Sequence, residues 1–135
     1  FLFSSGPRLC LSGGIDALVI CGTTGEKSTL KYDEHLKVIE VAAKANNKRV
    51  PLIAGTGSNN TAHAQYLSMQ AQKCGVDALI IQDIGFAGHI RKVLPDMELH
   101  ASTQMTVTSL EGVRYLEMVE GYIMSVALDD NDEPI

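Results

Sequence analysis

The stretch DALVICGTTGEKSTLKYDEHLKVIEVAAKANNKRVPLIAG, residues 16–55, decides the fold. It opens on a continuous apolar run, residues 16–21, rich in Val and Ile, which is the pattern of a strand buried on both faces. The run stops abruptly in Gly-Thr-Thr-Gly-Glu. The period then changes: Leu36, Ile39 and Ala43, with Val38 and Ala42 beside them, predict an amphipathic helix. Asp33 and Glu34 stand at its start, where the helix dipole favours anions, and Asn46 and Asn47 mark its stop. A second short apolar run, residues 49–55, follows. Strand, helix and strand in this order form a parallel crossover unit.

The cycle repeats along the chain. Residues 56–61 carry turn chemistry with a cap at Asn60 or Thr61, and residues 62–75 read as a second helix closed by Gly75. Residues 76–82 are a third strand, 85–95 a short third helix ended by Pro95, and 97–102 a fourth strand. A fourth helix over 109–121 stops at Gly121; residues 122–128 read as the start of a fifth strand, with the acidic tail LDDNDEPI behind. The class is therefore α/β, with four to five parallel βα units. A full barrel needs eight strands and about 250 residues, so the pattern fits half a barrel or a small open sheet.

The totals narrow the function classes. The 135 residues make one domain at most, and 45% apolar content supports a real core. A net charge of −5 without a basic stripe argues against nucleic acid and against an anionic membrane surface. Cys10, Cys21 and Cys74 are odd in number and fit no metal or redox spacing. Free thiols, and with them a reducing cytoplasm, are the expectation. No apolar run reaches the roughly 20 residues of a membrane span, and the opening residues lack the charged start and long apolar segment of a signal peptide. Because the chain begins with Phe1, we expect a piece of something longer.

In either architecture, ligands bind beyond the carboxyl ends of the strands. Four strand-to-helix loops fall there: Gly22–Glu26, Gly55–Asn60, Gln82–Asp83 and His100–Gln104. The first two share a logic. Glycine lets the backbone approach a ligand closely, and hydroxyls with free N–H groups hold a carboxylate or phosphate. One such loop is an ordinary βα turn; two on successive units, aimed at one end, favour a site. Glu26 reads as a cation ligand or, the reading we prefer, as seating its loop by accepting backbone N–H bonds. His100 reads either as an acid or base or as a core histidine bonded to backbone. Ser102 has no partner set for a triad, and Thr103 reads as a cap. His35, His63 and His89 read as surface or packing residues, not metal ligands. No Walker-type phosphate loop is present, and no G-x-G-x-x-G follows a strand.

Residues 14–80, with GTTGE and AGTGSN in order, closely resemble the dihydrodipicolinate synthase family, also called 4-hydroxy-tetrahydrodipicolinate synthase. The resemblance implies a (β/α)8 barrel of class I aldolase type, in which a barrel lysine forms a Schiff base with pyruvate in lysine biosynthesis. It implies that Thr23 joins a tyrosine-based proton relay and so has the catalytic role. It implies that Thr24 holds the keto-acid carboxylate, that Gly22 and Gly25 shape the loop, and that Gly55, Thr56, Gly57, Ser58 and Asn59 line the same mouth. It implies a small pyruvate-like ligand, with no cofactor and no metal.

The chain also departs from that family. IQDIG stands where the family has a Pro-Tyr-Tyr-type loop, and the Tyr-Asn-x-Pro segment and the strand bearing the Schiff-base lysine are missing. Lys92 falls on a predicted helix, and Lys27, where the family has a small residue, is expected to be solvated. We therefore expect the piece to be inactive alone, since an imine-forming lysine needs a desolvating pocket. Residues 78–120, with the phrase LHASTQMT, resemble instead the collagenase-like peptidase family. The chain thus reads as one truncated barrel domain over 1–135: a synthase-like half, 14–80; a peptidase-family-like half, 78–120; and a strand with an acidic tail, 122–135. A hybrid of two barrel fragments joined near GVDALI is the implied origin, and residues 1–12 and 122–135 match neither family. Unpaired sheet edges lead us to expect a homo-oligomer.

Overall fold

The computed structural model describes residues 10–117 and 122–123. Strands and helices alternate in chain order: β1 (Leu18–Ile20), α1 (Tyr32–Asn46), β2 (Leu52–Gly55), α2 (Thr61–Cys74), β3 (Ala78–Ile81), α3 (Ile84–Val93), β4 (Glu98–Ala101), α4 (Leu110–Tyr115) and β5 (Tyr122–Ile123). All neighbouring strands pair in parallel, and the spatial order is β1-β2-β3-β4-β5. A sheet that never reverses its strand order is wound in one direction, as a barrel is; a doubly wound sheet reverses at a switch point. The choice that periodicity left open is thereby settled as a partial (β/α)8-type barrel.

The register separates two faces. Leu18, Ile20, Leu52, Ala54, Leu79, Ile81, Leu99 and Ala101 share one core with Ile39, Ala42, Ala71, Ala87 and Ile90 of the helices. Each large side chain fully buried there contributes about 1.5–3 kcal/mol. Val19, Ile53, Ala78 and Glu98 fall in register on the opposite, concave face. Val19 is 52% exposed, which corrects the expectation of a strand buried on both faces. Its run is apolar throughout, but helices cover only the alternate residues.

α1 buries His35, Ile39, Ala42 and Asn46, with the expected Leu36, Val38 and Ala43 half-buried along its flanks. The stripe is thus rotated and has a polar residue at each end. Asn46 bridges to the next strand, its Nδ2 donating to the Val50 carbonyl at 2.7 Å, while Asn47 ends the helix at φ 49°. Of the two candidate caps of α2, Asn60 is the one used: its Oδ1 accepts the His63 N–H at 3.1 Å. Gly75, at φ 86°, closes that helix in the left-handed region where a side chain would be strained. β2 starts at Leu52 and not at Arg49, since Pro51 has no N–H for the ladder. Asp77 fastens the entry to β2 and β3. Its Oδ2 accepts the Leu52 N–H at 2.9 Å and its Oδ1 the Lys48 ammonium at 2.7 Å.

β3 spans the junction between the two resemblances and pairs with β2 on one side and β4 on the other, so the sheet is continuous there. The end of the predicted fourth helix, most of the fifth strand, the acidic tail and residues 1–9 lie outside the described residues.

Candidate ligand site

Because β1 and β2 run parallel, the turns that follow them emerge at the same end of the sheet. Cys21 leaves β1 at φ 52°, a left-handed conformation, and is buried. Burial pushes its thiol up to about 11, so it stays neutral and acts as packing. Gly55, ending β2, lies directly against it: a Cβ on Gly55 would collide with the Cys21 carbonyl oxygen. This close backbone approach locks the two turns side by side.

Residues Thr23–Gly25 form a 3-10 turn, closed by Gly25 N–H to Gly22 O and Glu26 N–H to Thr23 O, both 3.0 Å. No hydrogen bond among the described residues engages the Thr23 or Thr24 hydroxyl, and both residues are exposed. Glu26 seats the loop, but through its main chain. Its carbonyl accepts the N–H and hydroxyl of Thr29 at 2.9 and 2.8 Å, and its carboxylate takes no backbone N–H among these bonds. The expected carboxylate role is corrected accordingly, with φ 53° at Glu26 turning the side chain's backbone out of the helical path.

A cavity of about 640 Å³ opens at this end of the sheet. Of the nine residues expected at the site, Gly22, Thr23, Gly57, Ser58 and Asn59 line it. Thr24 and Gly25 belong to the same turn but are not among its walls. Gly55 and Thr56 lie behind the wall and are buried. Thr56 is fully buried, and its hydroxyl is joined to that of Ser68 at 2.8 Å. Ser68 donates onward to the Ala64 carbonyl, so Thr56 ties β2 to α2 and has no lone hydroxyl for a ligand.

The cavity gathers residues that sequence reasoning placed elsewhere. Lys27, expected to be solvated, is half-buried and lines it. Burial is the main cause of its lowered ammonium pKa, since desolvation penalises the charge. His35 and His63 also line it. His35 Nε2 donates to the Gly55 carbonyl at 2.9 Å, which makes it the packing residue the sequence allowed. Its pKa is lowered, first by burial and then by the nearby Lys27 and His63 charges, against an opposing contribution from the Gly55 bond. Tyr32 covers His63, with ring centroids 3.3 Å apart. The missed signal was positional: the first turn of each helix after a parallel strand sits at the strand ends, and His35 and His63 occupy those turns.

The fourth loop divides. Ser102 and Gln104 line the cavity, and the cap there is Ser102, not Thr103: its Oγ accepts the Gln104 N–H at 3.3 Å. His100 points away from the mouth. It lines a separate hollow of about 480 Å³ on the concave side, where its Nε2 meets Glu98 Oε1 at 2.8 Å. Neither an acid–base residue at the strand ends nor a backbone-bonded core histidine describes it.

The model of the Dihydrodipicolinate synthetase family matches residues 8–83. The chain belongs to that family. A relative, the 4-hydroxy-tetrahydrodipicolinate synthase of Geobacter sulfurreducens, is 54% identical over 71 residues, covering 53% of this chain and 24% of the relative. Among solved structures, dihydrodipicolinate synthase from Aquifex aeolicus superposes on 96% of this chain and 50% of its own, with TM-score 0.72 and 27% identity. A dihydrodipicolinate synthase from Acinetobacter baumannii, solved in complex with pyruvate, covers 73% of this chain and 38% of its own at TM-score 0.63 and 32% identity. The chain spans about a quarter of the length of the curated relatives it matches, and 50% and 38% of the lengths of these two structures. The likeness in fold covers 96% of this chain, whereas the family model matches residues 8–83. The peptidase-family likeness expected over that segment gains no support from the comparisons. Among the described residues, no helix is long and apolar enough to cross a membrane.

Proposed function

We propose that this chain carries the keto-acid-binding mouth of a dihydrodipicolinate synthetase-family lyase. Thr23, the hydroxyl of the proton relay, lines the cavity with Gly22, Gly57, Ser58 and Asn59, and Thr24, exposed on the same turn though not among the cavity's walls, supplies the hydroxyl for the carboxylate of a small pyruvate-like ligand. One observation carries the reading: two turns more than thirty residues apart in the sequence, each leaving a different strand, reach a single cavity. The free hydroxyls of Thr23 and Thr24 add donors suited to a carboxylate. Support from similarity comes from a family member solved with pyruvate.

The same reading holds that the 135 residues bind without turning over. No described strand ends in a lysine, and an imine requires an amine presented to the carbonyl. The chain is a single truncated barrel domain that acts in the cytoplasm and self-associates. The edge position of β1, with Val19 52% exposed on it, favours that association. Titration of the full chain with pyruvate, followed by backbone amide shifts, tests the site. Movement of residues 22–24 and 57–59 supports it, and no movement overturns it. Borohydride treatment with pyruvate tests the inactivity: an unchanged intact mass is expected, and a covalent adduct would refute it.

A further inference from the structure

The sheet has two open edges among the described residues: β1 pairs with β2 alone, and β5 with β4 alone. The bonding of β1 fixes which of its groups are spare. The Leu18 N–H donates to the Pro51 carbonyl at 2.9 Å, so Leu18 turns its backbone towards β2. In a parallel ladder only alternate residues bond to a given neighbour. The Val19 N–H and carbonyl therefore point away from β2, along the open edge. The Val19 side chain, on the concave face, is 52% exposed. Such an edge is a template for a further strand. β1 is Leu-Val-Ile, without the lysine or proline that commonly guards an edge against pairing.

The shape and charge of the sheet say what fits there. Its strands never reverse in order, so the sheet winds one way, as part of a closed shape. A full barrel takes about 250 residues, and each copy of this chain brings 135. The concave side carries both signs of charge. Arg49 and Glu98 line the same hollow there. Arg49 donates to the Ala45 and Asn46 carbonyls and makes no ion pair among the described residues, while Glu98 meets His100. A face that bears a cation without a carboxylate, and a carboxylate without a lysine or arginine, is complementary to its own copy.

We propose that a second copy of this chain closes the barrel: β1 of each copy pairs in parallel with β5 of the other, and the two concave faces share one interior. The two-fold axis then runs along the strands, the two joints are equivalent, and both ligand mouths open at the same end. Five strands from each copy make a wider barrel than the usual eight. A wider interior leaves water for Glu98 and His100. The inference rests on the self-association proposed above, which it deepens, and requires nothing of Thr23 or Thr24.

Sedimentation equilibrium and hydrogen–deuterium exchange of the full chain, at protein concentrations above and below dissociation, test it. The expected result is a dimer in which the Val19 amide and one amide of β5, Tyr122 or Ile123, exchange at least about tenfold more slowly than in the monomer. Val19→Pro removes the outward N–H at an edge, where proline is tolerated, and should leave a monomer with unchanged circular dichroism. Val19→Lys, which guards the edge by charge, should do the same and serves if the proline variant does not fold. A wild-type chain that stays monomeric overturns both this joint and the self-association. A dimer with neither edge protected, or with Val19 alone protected as β1 against β1 would give, overturns the joint and leaves self-association standing. Assembly that grows past the dimer, or dimers formed by folded Val19 variants, does the same.

Discussion

Two loops of similar composition follow β1 and β2, and the protein uses them in opposite ways. Gly22–Glu26 keeps its threonine hydroxyls in solvent and unengaged. Gly55–Asn60 spends its polar groups internally: Thr56 on Ser68, Ser58 on the Asn60 N–H, and Asn60 on the cap of α2. The first loop is available chemistry; the second is the frame that holds it. The cause is geometric. β2 lies between β1 and β3, so its exit is hemmed in by Cys21 on one side and α2 on the other. β1 is an edge strand of the described sheet, and its exit opens outward.

The largest effect expected from this contrast is at the glycines. Gly55→Ala drives a methyl into the Cys21 carbonyl, which is backbone and cannot swing aside. Overpacking of that kind costs roughly 3 kcal/mol or more. Gly25→Ala meets nothing within 4 Å and should change stability by no more than about 0.5 kcal/mol. Urea denaturation of the two variants checks the difference, and equal losses would erase the distinction between frame and open loop.

The threonines give the next effect. Thr56→Val removes the bond to the buried Ser68 hydroxyl, which keeps its bond to the Ala64 carbonyl, and should cost about 1 kcal/mol. Thr24→Val should leave urea stability within about 0.5 kcal/mol while weakening pyruvate, measured by calorimetry. A stability loss at Thr24 equal to that at Thr56 would show that both loops are structural.

The frame should also respond to acid. His35 is buried against Gly55, and its pKa is held below the ordinary 6.5, by burial first. The unfolded chain therefore takes up the proton before the folded one does. Stability is full above about 6.5 and falls as pH drops through that value towards the folded pKa. Thermal melts of wild type and His35→Gln between neutral and mildly acidic pH check this, the variant showing the flatter dependence. The smallest effect is at Glu26. Its main chain, not its carboxylate, seats the first loop, so Glu26→Gln should shift stability by less than about 0.5 kcal/mol.

Much of the frame was legible in the sequence. The change from apolar run to 3.6-residue period located α1, Gly75 closed α2, and the repeated alternation gave parallel strands. Winding direction was not legible, because strand order is a tertiary property, and Val19 misled because an apolar residue reads alike on a covered face and an open one. At the site, Gly-Thr-Thr-Gly marked the correct end of the sheet. Thr56 was misassigned because composition does not say whether a hydroxyl faces a cavity or a neighbouring helix. Lys27 was misassigned because its burial comes from Gly57, thirty residues along the chain and brought close only by the β1–β2 pairing.

The most direct test of the two-loop mouth is a pyruvate titration of the full chain watched by backbone amide NMR. The account predicts that residues 22–24 and 57–59 shift together and saturate along one curve. Shifts confined to one loop, two unrelated curves, or none at all would contradict it.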